Sequence, residues 1–220
     1  MLTPALETEI ATLAVQYGAP RHVAVELHGE PFDPLILNDR IGEVCMVIRR
    51  KNGKLLTAIK TFYPPGAFRL LTSGIGQGES IEAALLREVD EETGLDVVVR
   101  RFLAVIEYRL ARGEASGERR GERGSNSSSG PSYAFVTFAF LLDEVGGTLG
   151  VRDPSERIGA FREVAVAELL AVSEELERVT NRFAPEIGGS WSDWGRFRAV
   201  AHRVVYEVLR DVGAAPSLMH

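Results

Sequence analysis

The chain has 220 residues, of which 45% are apolar and 25% are charged, and its formal net charge is −6. This composition is typical of a globular protein with a sizeable core and excludes global disorder, while the acidic charge disfavours binding to a nucleic-acid backbone. The single cysteine, Cys45, excludes an intrachain disulfide, and with four scattered histidines it cannot form a zinc cage. Any metal must therefore be held mostly by carboxylates, which favours Mg²⁺ or Mn²⁺.

No segment approaches the roughly 18 apolar residues that a membrane-spanning helix needs. The amino-terminal segment is acidic where a signal peptide would be basic. We therefore expect a cytoplasmic protein that does not enter a membrane. A homodimer remains open as an alternative to a monomer.

Residues 1–39 are predicted to form a helix and a strand that extend the main domain. A threonine suited to an N-cap, a first-turn proline and apolar residues at helical spacing predict a helix that stops at Gly18. Residues 21–28 alternate weakly in polarity and predict a strand.

Residues 40–182 are predicted to form the main domain. Its first two strands, residues 43–50 and 55–61, flank Asn52-Gly53. Because both of these residues tolerate a positive φ, the pair favours a tight hairpin. A Gly-rich stretch, SGIGQG, then leads into a helix.

Two long strands rich in Val, Phe and Tyr are predicted on either side of a low-complexity segment, residues 111–131. This segment has no aromatic or β-branched residue and cannot bury enough surface to offset its ordering entropy, so we predict a mobile insertion. Residues 183–220 are predicted to add a last helix that packs on the same domain. Because strands and helices do not alternate regularly, a mixed sheet is favoured over a doubly wound parallel sheet.

The most informative chemistry lies in residues 73–95, SGIGQGESIEAALLREVDEETGL. Spacings of three and four place Glu88, Glu91 and Glu92 within about a 100° arc of one helix. The apolar residues expected to pack inward from the opposite side are Ala83, Leu86 and Val89. Acids near the carboxyl end of a helix oppose its dipole, and a divalent cation with oxygen ligands would relieve the repulsion. The alternative is an acidic helix end that faces solvent.

This stretch resembles the box of the Nudix hydrolase family, G-x(5)-E-x(7)-R-E-U-x-E-E-x-G-U, in which U is bulky and aliphatic. Eight of the nine specified positions match when counting starts at residue 73. The matching residues are Glu79, Arg87, Glu88, Val89, Glu91, Glu92, Gly94 and Leu95. Ser73 stands where the first glycine belongs. Serine adopts a left-handed φ only at a cost of about 1 kcal/mol, so we expect strain if the loop needs that conformation.

The resemblance implies a Nudix-type α/β/α sandwich with a mixed β-sheet. It also implies hydrolysis of a nucleoside diphosphate linked to another group, by attack of water on phosphorus. The implied ligands of Mg²⁺ or Mn²⁺ are Glu88, Glu91 and Glu92. Structural support of the box would come from Glu79, Arg87 and Gly94. The approach to the box is loosely similar to ADP-ribose and sugar-nucleotide pyrophosphatases.

In this family the general base is a box glutamate or a carboxylate from a later loop. The predicted catalytic residues are therefore Glu88 and Glu91 of the box and Glu156, which lies in a loop before a predicted strand. A further candidate is Glu107, near the end of a strand. An ordinary surface charge is the alternative for Glu156.

Basic side chains close to the predicted site suggest contacts with an anionic substrate. The candidates are Arg49, Lys60 and Arg69, and ordinary solubility charge is the alternative for each. The partner expected is a small nucleoside diphosphate derivative. A non-catalytic Nudix-fold sensor of a nucleotide metabolite remains the alternative to an enzyme, since Ser73 favours the sensor and the intact box carboxylates favour the hydrolase.

Overall fold

The computed structural model describes residues 2–29, 32–35, 40, 42–111 and 133–214. Except for Ala111, the predicted insertion at residues 111–131 lies outside this part of the chain. The strands are β1 (Arg21–His28), β2 (Gly42–Arg49), β3 (Leu55–Lys60), β4 (Arg69–Ile75), β5 (Leu95–Ala111), β6 (Tyr133–Gly147), β7 (Ile158–Val164), β8 (Phe183–Ala184) and β9 (Gly189–Ser190). The helices are α1 (Pro4–Tyr17), α2 (Ile81–Thr93), α3 (Leu169–Glu177) and α4 (Trp191–Ala214), with short 3₁₀ turns at Pro154–Glu156, Val166–Glu168 and Pro185–Ile187.

Seven of the described strands form one mixed sheet in the order β1-β5-β6-β2-β4-β3-β7. The pairs β1–β5 and β2–β6 are parallel, and the other neighbouring pairs are antiparallel. The amino-terminal strand β1 is therefore an edge strand of the same sheet. None of the described helices is long and apolar enough to span a membrane.

Helices cover both faces of this sheet. Side chains alternate along a strand, so Val44 and Met46 of β2 face one core while Cys45 and Val47 face the other. The first core is shared with α1 and α2, and the second is shared with α3 and α4. Burial on both sides explains why β2 is nearly continuously apolar. The predicted α/β/α sandwich with a mixed sheet is confirmed.

The predicted hairpin forms only at its turn. Gly53 has a positive φ of 83°, as the Asn-Gly pair predicts. Beyond the turn, β2 and β3 pair only through Arg49 and Leu55 among the described residues, because β4 lies between them in the sheet. The first three residues of the Gly-rich stretch, 73–75, belong to strand β4.

The position of Ser73 in β4 overturns the expected strain. Ser73 lies opposite Val44 in the antiparallel ladder with β2. Within the described chain, the non-glycine residue with a positive φ is Arg157, not Ser73. A serine is therefore accommodated at the first position of the box without a left-handed backbone.

The last helix α4 is held against the sheet by buried aromatic and polar contacts. Trp194 is 1% exposed, and its ring lies 4.6 Å from that of Tyr63. His202 accepts a hydrogen bond from the Leu70 N–H at 2.9 Å through Nε2, and its Nδ1 lies 2.9 Å from the Arg198 carbonyl. Burial lowers the pKa of His202 to about 4. The ring is therefore neutral, carries its proton on Nδ1, and has a structural role.

Candidate active site

The box helix α2 is fixed at both ends by its own sequence. Ser80 is the N-cap, and its hydroxyl accepts a hydrogen bond from the Ala83 N–H at 3.2 Å. At the other end Gly94 has a left-handed φ of 62°, and its N–H donates to the Asp90 carbonyl at 2.9 Å. A Cβ here would approach the Thr148 carbonyl oxygen to 3.0 Å, so glycine is required both for its φ and for close packing.

The face of α2 that packs against the sheet differs from the predicted one. Ala83 and Leu86 were expected to point inward, but both are exposed. The buried residues are Ile81, Ala84, Leu85, Glu88, Val89, Glu92 and Thr93. Most of this stripe has the usual spacing of a core-facing helix, yet two of its positions are glutamates. Helix packing therefore carries two carboxylates into the interior, where a hydrophobicity rule alone would not put them.

Arg87 connects the box helix to the loop before it. Its Nε and Nη2 donate to the two carboxylate oxygens of Glu79 at 2.8 and 2.9 Å, and this pairing holds the pKa of Glu79 below its ordinary value. Its Nη1 donates to Glu88 Oε1 at 2.6 Å and to Glu91 Oε2 at 2.9 Å. One guanidinium thus ties the loop to the helix and orients two box carboxylates.

Three carboxylates meet beside this network. One oxygen each of Glu88, Glu92 and Glu156 lies within 4.8 Å of the other two. Glu92 is 1% exposed, and within the described chain neither its Oε1 nor the Oε2 of Glu88 has a hydrogen-bond partner. Lys60 supplies counter-charge, with its Nζ 3.0 Å from Glu156 Oε2 and 3.6 Å from Glu92 Oε1. Glu91, the third predicted ligand, lies outside this group with its side chain 34% exposed.

Glu156 reaches the cluster because its loop is hydrogen-bonded to the end of α2. The Glu91 carbonyl accepts hydrogen bonds from the N–H groups of Arg152 at 2.9 Å and Asp153 at 3.1 Å. The Asp153 carboxylate then caps the 3₁₀ turn Pro154–Glu156. The loop carboxylate named from the sequence therefore lies beside two of the box glutamates.

Burial makes ionisation of these carboxylates unfavourable. It raises the pKa of Glu92 to about 8, against the attraction of nearby Lys60. It also raises the pKa of Glu88, although interactions with the Ser73 side chain and with Arg87 oppose that rise. Neighbouring carboxylates, Glu156 among them, add to both shifts. These buried carboxylates are therefore suited to bind a cation that prefers oxygen ligands.

The predicted substrate-binding residues do not lie together. Lys60 is in the acid cluster, and Arg69 lines an adjoining cavity of about 130 Å³. Arg49 is not brought to the site, because it pairs with Leu55 at the other end of β3, roughly 17 Å from Lys60 along an extended strand. Its guanidinium instead donates to both carboxylate oxygens of Asp143, at 2.7 and 3.0 Å. The role of Arg49 as a substrate contact therefore stays a prediction, and the structure does not bring its guanidinium to the acid cluster.

Sequence reasoning missed the buried ion pair between Glu43 and Arg198. Arg198 Nη1 lies 2.8 and 2.7 Å from the two oxygens of Glu43, and the Thr137 hydroxyl donates to the same carboxylate at 2.8 Å. No local motif links residues so far apart in the chain. The available sign was Glu43 itself, a lone acid directly before the apolar run of residues 44–48. Glu107 lies on β5, which β6 separates from β2, and it is not part of the acid cluster.

Comparison with known proteins identifies the family. The NUDIX domain family matches residues 39–186, which is 148 of the 220 residues. The chain belongs to the Nudix family. An ADP-ribose pyrophosphatase from Methanocaldococcus jannaschii is 28% identical over 115 residues, which cover 52% of this chain and 57% of that relative. The match thus spans little more than half of the relative's length.

Among solved structures, the E. coli ORF135 protein is 18% identical, with a TM-score of 0.45 over 82% of this chain and 96% of that chain. A UDP-X diphosphatase is 15% identical, with a TM-score of 0.46 over 82% of this chain and 68% of that chain. In this Nudix protein, α2 and the loop before it carry every charged position of the box, and the departure at Ser73 falls in β4.

Proposed function

We propose that this Nudix protein hydrolyses a phosphoanhydride bond in a nucleoside-diphosphate-linked small molecule, and that it requires Mg²⁺ or Mn²⁺. Family membership supports the reaction class. The observation that carries the proposal is the group of Glu88, Glu92 and Glu156, which contains two buried carboxylate oxygens without hydrogen-bond partners in the described chain. Buried polar atoms are normally paired, so these atoms point to an additional ligand.

The residues present fit a divalent ion. Glu88 and Glu92 offer only carboxylate oxygens, which hard cations prefer, and with Glu156 they lie close enough to surround one ion and its bound water. Glu91 is the third candidate ligand, which a site with more than one ion would use. The chemistry supplied by a bound ion is neutralisation of diphosphate charge and a lower pKa of bound water.

The chain's own residues have distinct roles in this proposal. Arg87 holds the loop through Glu79 and orients Glu88 and Glu91. Lys60 carries a positive charge at the edge of the acid cluster, where it can contact a phosphoryl oxygen. Burial of Glu88 and Glu92 places them in a medium of lower dielectric constant than water, which strengthens each of these electrostatic interactions.

We propose Glu156 as the general base that accepts the proton of the attacking water. Its side chain is 19% exposed, so it borders both the buried carboxylates and the solvent that supplies water. It lies outside the box helix, and hydrogen bonds from its loop to the Glu91 carbonyl hold it beside Glu88 and Glu92. Glu91, the other base candidate outside the buried stripe, does not belong to the group of carboxylate oxygens formed by Glu88, Glu92 and Glu156.

The substrate class that we propose is ADP-ribose or a nucleotide sugar. The ADP-ribose pyrophosphatase activity named for the M. jannaschii relative supports this choice. We further propose that the protein acts in the cytoplasm as a monomer or homodimer, which cell fractionation and sedimentation velocity test.

The alternative function, a non-catalytic sensor of a nucleotide metabolite, loses the feature that favoured it. Ser73 was expected to distort the box loop, but it lies in regular strand geometry opposite Val44. The buried carboxylates Glu88 and Glu92 remain unfavourable features that a pure binding module does not need.

The test is product release from a panel of nucleoside diphosphate derivatives with Mg²⁺, with Mn²⁺ and with EDTA. We expect turnover of at least one compound in metal, none in EDTA, and a loss of at least about 100-fold in Glu92→Gln. Asp90→Asn is the matched control, because Asp90 is an exposed acid on the same helix that pairs with Arg152. Ligand binding without turnover of any compound would favour the sensor.

A further inference from the structure

The residue that follows Glu156 has an unfavourable backbone conformation. Arg157 has φ 55° and ψ 31°, in the left-handed region, and it is the one non-glycine residue of the described chain with a positive φ. A Cβ makes this region costly, so a position that needs it usually holds glycine. Residues strained in this way persist where the surrounding structure holds them, and they concentrate at functional sites.

A second turn in the same chain shows what the backbone alone favours. The 3₁₀ turn Pro185–Ile187 ends at Gly188 with φ 60° and ψ 22°, and the Gly188 N–H donates to the carbonyl of the first turn residue at 3.2 Å. The turn Pro154–Glu156 ends in the same way at Arg157, whose N–H donates to the carbonyl of its first residue at 3.1 Å. Of these two turns, the one that carries Glu156 ends in a residue with a side chain. We therefore expect this side chain to have a role that glycine cannot fill.

The Arg157 side chain stacks on an aromatic ring. Its guanidinium carbon lies 4.2 Å from the centroid of the Phe62 ring, within the roughly 6 Å expected for a cation–π contact. Phe62 in turn contacts Tyr63, at 4.9 Å between ring centroids, and Trp191, at 6.4 Å. Trp191 is buried in the core shared by α3 and α4. Arg157 therefore joins the exposed loop to the interior of the protein.

The backbone at Arg157 also fixes Glu156 relative to β3. The Arg157 carbonyl accepts a hydrogen bond from the Thr61 N–H at 2.7 Å, directly after Lys60. The pairing of β3 with β7 shifts register between Ile59 and Lys60, and such an irregularity redirects the side chains beside it. Lys60 Nζ lies 3.0 Å from Glu156 Oε2 as a result of this arrangement. The bend at Arg157 thus brings Glu156 to Lys60 and to the acid cluster.

We propose that Arg157 is a positioning residue, which holds Glu156 beside the box carboxylates through its stack on Phe62. The catalytic part of this inference rests on the proposed function, in which Glu156 is the general base. A general base must lie within hydrogen-bond reach of the water that it deprotonates, and a displacement of about 1 Å is enough to lower a rate substantially. Arg157 acts through Glu156 and does not need to contact the substrate.

Amide hydrogen exchange of residues 152–158, measured without metal and without substrate, tests the placement of Glu156. Arg157→Gln keeps the left-handed strain and removes the stacked charge, so exchange in this segment should become about two- to fivefold faster, the range for loss of a cation–π contact at an exposed site. Arg157→Lys should fall between this variant and wild type, because an ammonium group can also lie over the ring. Arg210→Gln is the control, since Arg210 stacks on Tyr206 of α4 at 5.8 Å, and it should match wild type in this segment.

Steady-state kinetics with a substrate from the panel test the catalytic consequence. Arg157→Gln and Arg157→Gly should both lower kcat by at least about fivefold with KM within about twofold of wild type, since Glu156 and not the substrate loses its position. Arg157→Gly is the sharper variant, because glycine keeps the bend and relieves its strain while it removes the stack. Phe62→Leu should reproduce the loss of kcat, and the double variant with Arg157→Gln should be no slower than the slower single variant.

The inference is overturned if exchange of residues 152–158 is unchanged in Arg157→Gln, or if Arg157→Gly turns substrate over as fast as wild type. A higher KM with unchanged kcat would also overturn it, because that pattern marks a contact with the substrate. The exchange experiment needs neither metal nor turnover, so an unchanged exchange rate leaves the hydrolase proposal standing. Absence of turnover in wild type, with the exchange difference present, would contradict the hydrolase proposal and support the placement of Glu156 by Arg157.

Discussion

Replacement of Glu92 by glutamine should change the stability of the protein in opposite directions with and without metal. In EDTA the Glu92 carboxyl is 1% exposed and within 4.8 Å of two other carboxylate oxygens. At an effective dielectric constant of 20, each like-charge contact at that distance costs about 3.5 kcal/mol, and the Lys60 ammonium offsets only part of the total. The buried carboxyl therefore takes up a proton at neutral pH, and replacement by uncharged glutamine removes the free-energy cost of that protonation and should stabilise the metal-free protein.

The magnitude follows from the ionisation of Glu92. Its pKa is about 8 in the folded protein against an ordinary 4.5, so the folded state binds the proton that the unfolded state releases. For an acid with a raised pKa, stability falls as pH rises from about 4.5 to 8, and at pH 7.5 the loss is about 4 kcal/mol. Recovery of half or more of this free energy in Glu92→Gln corresponds to a melting temperature roughly 5–10 °C higher in EDTA.

Addition of metal should reverse the order of the melting temperatures of wild type and Glu92→Gln. An ion at 100 times its dissociation constant stabilises the folded state by about 2.7 kcal/mol, or roughly 5–10 °C for a domain of this size. Wild type should show this increase in Mg²⁺, while Glu92→Gln should gain less than about 2 °C because it lacks a ligand.

Differential scanning calorimetry at pH 7.5 in EDTA and in 10 mM Mg²⁺ measures both effects. Asp90→Asn is the control, since it removes the same charge from an exposed pair on the same helix and should stay within about 0.5 kcal/mol of wild type in both buffers. Destabilisation of Glu92→Gln in EDTA, or an equal response of both variants to Mg²⁺, would refute the reasoning.

Three further variants test the structural arguments. Burial lowers the pKa of His202 from an ordinary 6.5 to about 4, so the folded state is stabilised above pH 6.5 and this stabilisation is lost as pH falls towards 4. Between pH 7.5 and 4.5, the free energy of unfolding in urea should therefore fall by about 2.5 kcal/mol less in His202→Gln than in wild type. Gly94→Ala should lower the free energy of unfolding by more than Gly53→Ala does. Both glycines have a positive φ, but of the two only Gly94 lies against carbonyl oxygens. Equal losses of free energy would contradict the packing argument. Ser73→Gly should cost about 0.5–1 kcal/mol, as expected for glycine in a strand, whereas relief of strain would stabilise the protein.

Much of the fold could be predicted because its signals are local. The capping residue Ser80, the stop at Gly94 and the charged positions of the box all lie within one short stretch. The positions of the strands followed from their apolar runs. The order of the strands did not, because the insertion of β4 between β2 and β3 depends on pairing over long sequence separations.

The errors in the site have physical causes. Ala83 and Leu86 were assigned to the core because apolar residues usually pack inward, but in α2 the inward positions are held by Glu88 and Glu92. Arg49 was grouped with Lys60 because both lie on the predicted hairpin, although the two residues lie at opposite ends of the strands. Such mismatches between hydrophobicity and burial are expected where a site uses buried charge.

Strand β4 explains how the acid cluster and the Glu43–Arg198 ion pair come to adjoin. Successive side chains of a strand point to opposite faces of the sheet. Thr72 therefore meets Arg198 of α4 on one face, while Ser73 meets Glu88 of α2 on the other. Burial raises the pKa of Glu92, and Lys60 and Arg69 oppose that rise without cancelling it, so the acid cluster is unfavourable for folding. A divalent ion would relieve this cost, so the feature that lowers the stability of the free protein is the one that would favour the proposed metal.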